Sequence, residues 1–220
     1  MALHIDQFQA LLENPATILI DTRSADQWMS GHIPNSLNIT PATVKYAVAM
    51  GAIEKTSPIV LILDSNFEKE TLAYFKEAGF TNILGYLDGG FDTWTAAHHK
   101  IDMLIEVEPD ELAMDIPYDE FLMPLDIRTE EAFNKSHIKN SVSLPLAEFM
   151  DPGSMSELDE HFNIYIISDN GEDASIASTL LKKEGIHNNR VVNGGWEAVQ
   201  ELKDAFSFET SKAPPKPEEN

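Results

Sequence analysis

Cysteine is absent from all 220 residues. That excludes disulfides, thiolate catalysis and Cys-ligated zinc. Basic residues are scarce: 15 Lys plus Arg face 37 Asp plus Glu, a formal charge of −22. Such a chain repels nucleic acid and anionic membranes, and slows the approach of a small anionic substrate. No apolar run approaches the ~18 residues of a membrane span, and the opening MALHIDQF lacks the basic and apolar layout of a signal peptide. The expectation is a cytoplasmic protein with no nucleic-acid or membrane partner. Regular architecture starts by about Leu3, which fits a fragment of something longer.

What remains looks globular: 43% hydrophobic residues, 12 Pro and 11 Gly. The acidity is uneven. Residues 1–105 hold 6 basic and 12 acidic side chains (net −6), and residues 106–220 hold 9 and 25 (net −16). Laying the chain on itself explains the two halves. LIDTRSADQWMSGHIPNSLNI (19–39) matches PLDIRTEEAFNKSHIKNSVSL (124–144). Asp21, Arg23, His32, Ile33, Asn35 and Ser36 recur as Asp126, Arg128, His137, Ile138, Asn140 and Ser141, each displaced by 105. Gly89 and Gly90 recur as Gly194 and Gly195 at the same displacement. So many identities at one offset mean duplication. The reading gives a domain over 1–100, a second over 101–208, and a Pro-rich, charged, disordered tail over 209–220.

Each copy alternates short β-like runs with helical segments. TILID, SLNI, IVLIL and NILGYL are the predicted strands of the first copy; MPLDI, SVSL, IYIIS and RVV are those of the second. FEKETLAYFKEAG carries Leu72, Phe75 and Ala78 on one helical face and ends at Gly79; its counterpart runs from Ala174 to Glu184 and ends at Gly185. Strand–helix alternation implies an α/β fold, a mainly parallel sheet covered by helices, with ligands bound off the carboxyl ends of the strands.

At that place in the second copy stands IISDNGEDASIASTLL (166–181). A strand running through a tight Gly-containing loop into a helix N-terminus is how proteins cradle anions, because N–H groups and the helix dipole point into the loop. Yet this loop carries Asp169, Glu172 and Asp173, and no Cys, Lys or Arg.

The D-x-R segment, the stretch GHIPNSLNI (31–39), and then strand, loop, helix and Gly-Gly near a Trp resemble the rhodanese-like (thiosulfate sulfurtransferase) family. The resemblance covers nearly the whole chain as two tandem copies. It implies two α/β domains, each with a five-stranded parallel sheet. It also implies a catalytic Cys opening a six-residue loop, C-x-x-G-x-R, that wraps a persulfide sulfur. Carried over residue by residue, SDNGED (168–173) puts Ser168 at the Cys place, Gly171 at the Gly place and Asp173 at the Arg place. In the first copy IVLIL ends at Leu63, so Asp64 is assigned the Cys place. The first loop then looks two residues short: 15 residues from Asp64 to Gly79 against 17 from Ser168 to Gly185. Sulfur transfer needs a polarizable thiolate held by positive charge. Neither Ser nor Asp forms a stable persulfide, and Asp173 in place of Arg turns attraction into repulsion.

Other readings of single residues weigh less. His32 and His137 as general bases compete with a turn-setting role, and Asp21/Arg23 and Asp126/Arg128 read most simply as ion-paired ties at a strand end. Ser168 as a hydrolase nucleophile lacks a G-x-S-x-G elbow. Asp64 as a phosphoryl acceptor, paired with Asp21, lacks a well-placed Lys. His98 and His99 fall in the expected linker near 98–106, without multi-ligand metal spacing. Trp28, Trp94 and Trp196 read as core aromatics.

The reading is a rhodanese-like tandem without sulfurtransferase residues, acting as a binding, regulatory or scaffolding module linked to sulfur metabolism. Its degenerate Cys-equivalent positions are Asp64 and Ser168. Its loop candidates for binding are Ser65, Asn66, Asp169, Asn170, Gly171, Glu172 and Asp173, with no cofactor and no metal. The form PIVLILDSN…AGFTNILGYLDGGFDTW followed by a second copy also resembles the C-terminal region of metallo-β-lactamase–rhodanese fusion proteins. That resemblance implies an upstream metal domain as a partner. A repurposed Ser/Asp enzyme is the third alternative.

Overall fold

The computed structural model describes residues 1–211 except Ser65, Pro152, Glu157 and Glu172. Residues 212–220, most of the expected tail, lie outside the described residues. By contacts the chain divides into two units, one of Met1–Ile105 with Ser178–Gly185, the other of Glu106–Ala177 with Ile186 onward.

In the first unit the order is β1 (Ala2–Leu3), α1 (Ile5–Leu12), β2 (Ile18–Asp21), α2 (Ala25–Ser30), β3 (Leu37–Asn38), α3 (Val44–Ala49), β4 (Ile59–Ile62), α4 (Glu68–Glu77), β5 (Ile83–Leu87) and α5 (Gly90–Ala96). The strands form one sheet in the order β1-β5-β4-β2-β3, and each pairing is parallel. β4 is central, and all four of its side chains are buried. A strand covered on both faces reads as an unbroken apolar run, which is why IVLI shows no alternation.

The second copy repeats the plan: β6 (Ile105–Val107), α6 (Pro109–Asp115), β7 (Leu122–Asp126), α7 (Glu130–Lys135), β8 (His137–Ile138), β9 (Val142–Ser143), β10 (Asn163–Ile167), α8 (Ala174–Lys183), β11 (Asn189–Val192) and α9 (Gly195–Glu201). Its sheet order is β6-β11-β10-β7-β9, with β10 central. Pro124 is tolerated inside β7 because β9 pairs only from Leu125 onward, leaving no ladder bond on that side for Pro to forfeit. The two-five-stranded-sheet α/β architecture is the one expected from the sequence. Equivalent residues build equivalent cores: Leu3, Phe8, Val60, Ile62 and Leu87 in one, Val107, Leu112, Tyr165, Ile167 and Val192 in the other. On α4, Phe75 and Ala78 are buried and Leu72 is half-buried, and the helix ends at Gly79 with φ 96°.

Segments that composition assigned to a linker and a tail are tied down. His32 and Asp102 exchange both backbone hydrogen bonds at 2.9 Å, and the N–H of Leu104 donates to Met29 O. Within the expected linker the His99 ring packs at a tilt of 39° against Trp94, with ring centroids 4.5 Å apart. The second unit does the same with β12 (Phe208–Glu209), which pairs antiparallel with β8; Ser211 N–H donates to Asn134 O. Glu209 and Ser211, assigned above to the tail, therefore belong to this unit. Composition misled because a short antiparallel strap has no periodicity of its own to read.

Candidate functional site

The loop after β10 begins at Ser168, which is buried, while Asp169, Asn170 and Asp173 are exposed. Two sets of backbone bonds shape it. Gly171 N–H donates to Ser168 Oγ at 2.8 Å, so the hydroxyl sits inside the cradle and takes up one of its donors. From across the loop, Trp196 N–H donates to Ser168 O at 2.8 Å and Glu197 N–H to Asp169 O at 3.1 Å. The N-terminus of α9 thus grips the loop, and the Gly-Gly pair permits it. Gly195 has φ 57°, and a Cβ there would lie 2.4 Å from Ser168 O and 2.8 Å from Gly171 N. Only glycine accommodates both the left-handed backbone and that approach.

In the first copy the structure corrects the assignment of Asp64. Thr22 N–H bonds Ile62 O just as Ile127 N–H bonds Ile167 O, so Ile62 matches Ile167 and Leu63 matches Ser168. Gly90, the partner of Gly195, approaches Leu63 O, where a Cβ would come within 2.6 Å. The first-copy counterpart of Ser168 is therefore Leu63, which is buried, and not Asp64. Measured from these positions, α4 starts five residues on and α8 six, so the first loop is one residue short, not two. The offset of 105 gives the same answer; Leu63 reads as a strand end because it is apolar.

Asp64 instead shapes the loop. Its Oδ1 accepts from the N–H of Asn66 at 2.9 Å and from Asn66 Nδ2 at 3.1 Å, and its carbonyl accepts from Phe67 N–H. This is an Asx-type turn leading into α4. Ser65 and Glu172, two of the sequence-proposed loop residues, lie outside the described residues.

The duplicated motifs around the loops are structural ties. Arg23 holds the fully buried Asp21 carboxylate through Nε and Nη2, the latter at 2.6 Å, and also donates to Gly31 O. Arg128 repeats this with Asp126 and Ser136 O. Each guanidinium lies over an aromatic ring that follows the Gly-Gly pair: Arg23 over Phe91 at 4.0 Å, Arg128 over Trp196 at 3.7 Å. His32 Nδ1–H donates to Trp28 O at 2.8 Å and stacks on the Trp28 ring; His137 does the same with Phe133. Burial holds His32 below the usual imidazole range. Asn35 and Asn140, with φ 65° and 64°, make the turns that follow. Trp28 and Trp94 are buried core residues as expected, whereas Trp196 is half-buried between Arg128 and Phe208.

The chain is similar in sequence to known proteins. The Rhodanese-like domain family matches residues 4–97 and 109–202. Thiosulfate sulfurtransferase GlpE of Pseudomonas savastanoi pv. phaseolicola is 32% identical over 94 residues, 42% of this chain and 85% of that protein. The putative sulfur carrier protein YrkF of Bacillus subtilis is 33% identical over 88 residues, 40% of this chain and 45% of that protein. The crystal structure of a thiosulfate sulfurtransferase from Pseudomonas aeruginosa aligns with 96% of this chain and 44% of its own, at 17% identity and a TM-score of 0.43. With both copies matched, the chain belongs to the rhodanese-like family as a tandem pair of domains, and it carries no cysteine to serve either one.

Proposed function

We propose that this tandem is non-catalytic and acts as a binding, regulatory or scaffolding module related to sulfur metabolism. The observation that carries the reading is the content of the two Cys places. One holds Leu63, a buried hydrocarbon; the other holds Ser168, whose oxygen already accepts the Gly171 N–H. A hydrocarbon forms no persulfide, and a hydroxyl is neither acidic nor polarizable enough to relay sulfur. Asp169 and Asp173 add negative charge where a transferred anion would enter. The sulfur link comes from the relatives' names alone. The family match covers rhodanese-like domains, and gives the metallo-β-lactamase fusion reading no support of its own.

The test is transfer of sulfur from thiosulfate to cyanide, run beside a generic phosphatase and esterase screen. A flat response from the wild-type chain is expected throughout. Turnover that disappears in Ser168→Ala would overturn the reading.

A further inference from the structure

The two copies differ sharply in one place remote from the loops, the end of α1 against the end of α6. Alignment there follows from hydrogen bonds. His4 and Glu108 are the N-caps of the two helices, 104 residues apart. Asn14 and Asp119 each accept, through Oδ1, the N–H two residues on, and stand 105 apart. One extra residue therefore enters the second copy between helix and turn. Met114 and Phe121 occupy the places of Ala10 and Ala16, and Tyr118 lies in the expanded stretch.

All three second-copy residues are large, apolar and open: Met114 is 61% exposed, Tyr118 90% and Phe121 51%. Two tight turns gather them, since Tyr118 N–H and Asp119 N–H both return to Asp115 O, and Leu122 N–H to Asp119 O. The first copy folds with alanines at the places of Met114 and Phe121, so the fold does not require those two side chains. Large apolar groups this exposed, close together along one short turn, mark an interaction surface. Its frame is rigid: Tyr165 donates to Asp115 at 2.7 Å and Asn163 to Asp119 at 2.5 Å, so little ordering cost falls on binding.

We propose that this surface docks a basic amphipathic segment of a partner protein. The argument for the occupant is charge. Asp110, Glu111 and Glu120 beside these apolar residues are exposed, and the chain from residue 106 on carries 25 acidic against 9 basic side chains. A second copy of the same chain, at −22, would meet like charge here. A partner presenting an apolar stripe flanked by Lys or Arg satisfies both the apolar residues and the acidic ones beside them. This gives the module reading its partner class and rests on it.

The probe is a synthetic Leu/Lys amphipathic peptide of roughly 18 residues, titrated calorimetrically into the full chain beside a Leu/Glu peptide of the same pattern. The wild type is expected to bind the basic peptide and not the acidic one. The first-copy side chains, introduced as Met114→Ala, Tyr118→Glu and Phe121→Ala, are expected to weaken binding by about tenfold or more. If that variant fails to fold, Asp110→Asn with Glu120→Lys tests the acidic residues and is expected to weaken binding and flatten its salt dependence. No binding by wild type, equal binding by the folded triple variant, or equal binding of the acidic peptide overturns the proposal. A dimer in sedimentation that the triple variant abolishes overturns it too, by making a second copy the occupant. Sulfur-transfer turnover with peptide binding intact would sink the non-catalytic reading and leave this surface standing.

Discussion

The two loops are counterparts in a duplicated frame and differ in what they hold. The second has a glycine and a grip from α9, and opens on a hydroxyl that its own backbone captures. The first is one residue shorter and has a buried leucine at the same point. What both preserve is the surrounding frame: the buried Asp–Arg tie, the stacked His and the Gly-Gly approach. The frame holds strand ends together whether or not the loop reacts.

The comparison is broken most severely at the ties. Asp126→Asn leaves a buried guanidinium without its charge partner and should cost about 3–5 kcal/mol. Asp21→Asn should cost less, because the Arg23 side chain is 10% exposed against 3% for Arg128. Urea unfolding read by residue-resolved amide exchange separates the two units. Equal losses, or a larger one in the first copy, would show that solvent access does not rank them.

The glycines come next. Gly195→Ala should cost about 2–4 kcal/mol, from the left-handed backbone and the clash with Ser168 O. Gly90→Ala should cost less, since a Cβ there meets Leu63 O alone, while at Gly195 it meets three backbone atoms of the opposite loop. Their ranking by unfolding midpoint tests whether the second loop is the more tightly held.

A smaller contrast lies at the Cys places themselves. Leu63→Ala should cost about 2 kcal/mol as lost packing, and Ser168→Ala about 1–2 kcal/mol as an unpaired Gly171 N–H. Amide exchange at Gly171 should quicken in Ser168→Ala and stay unchanged in Leu63→Ala; the opposite pattern would deny the hydroxyl its role.

Smallest is the effect of pH through His32. Burial lowers its folded-state affinity for a proton below that of the unfolded chain, whose ordinary value is 6.5. The unfolded state therefore binds more protons as pH falls through that value, and the first unit loses stability on acidification below it. His32→Gln should remove this component, so that the difference in unfolding free energy between variant and wild type varies with pH in that window. A constant difference would show that the imidazole is not linked to folding.

Much of this frame was legible because it was written twice. The offset of 105 gave the domain plan, the D-x-R and G-H-I motifs and the Gly-Gly pair before any fold was considered. Strands such as IVLI declared themselves as buried by continuous hydrophobicity. At Leu63 and Asp64 local character competes with the repeat: leucine after IVLI looks like more strand, and only hydrogen-bond register, or strict use of the offset, pairs it with Ser168. The straps were illegible for another reason. One or two backbone pairings at Asp102 or Phe208 leave no pattern in side-chain order, and their partners lie about 70 residues upstream.

Those straps bear on how either half should be handled at the bench. Homology fades at residues 97 and 202, and a chain trimmed to those limits would forfeit the bonds at Asp102 and Leu104 in one half, and in the other the Phe208 ring resting on Trp196. Since Trp196 is also the residue whose amide holds Ser168, such trimming would slacken the loop from behind, and a feeble or promiscuous reaction in a shortened protein would report the scissors before it reported the protein.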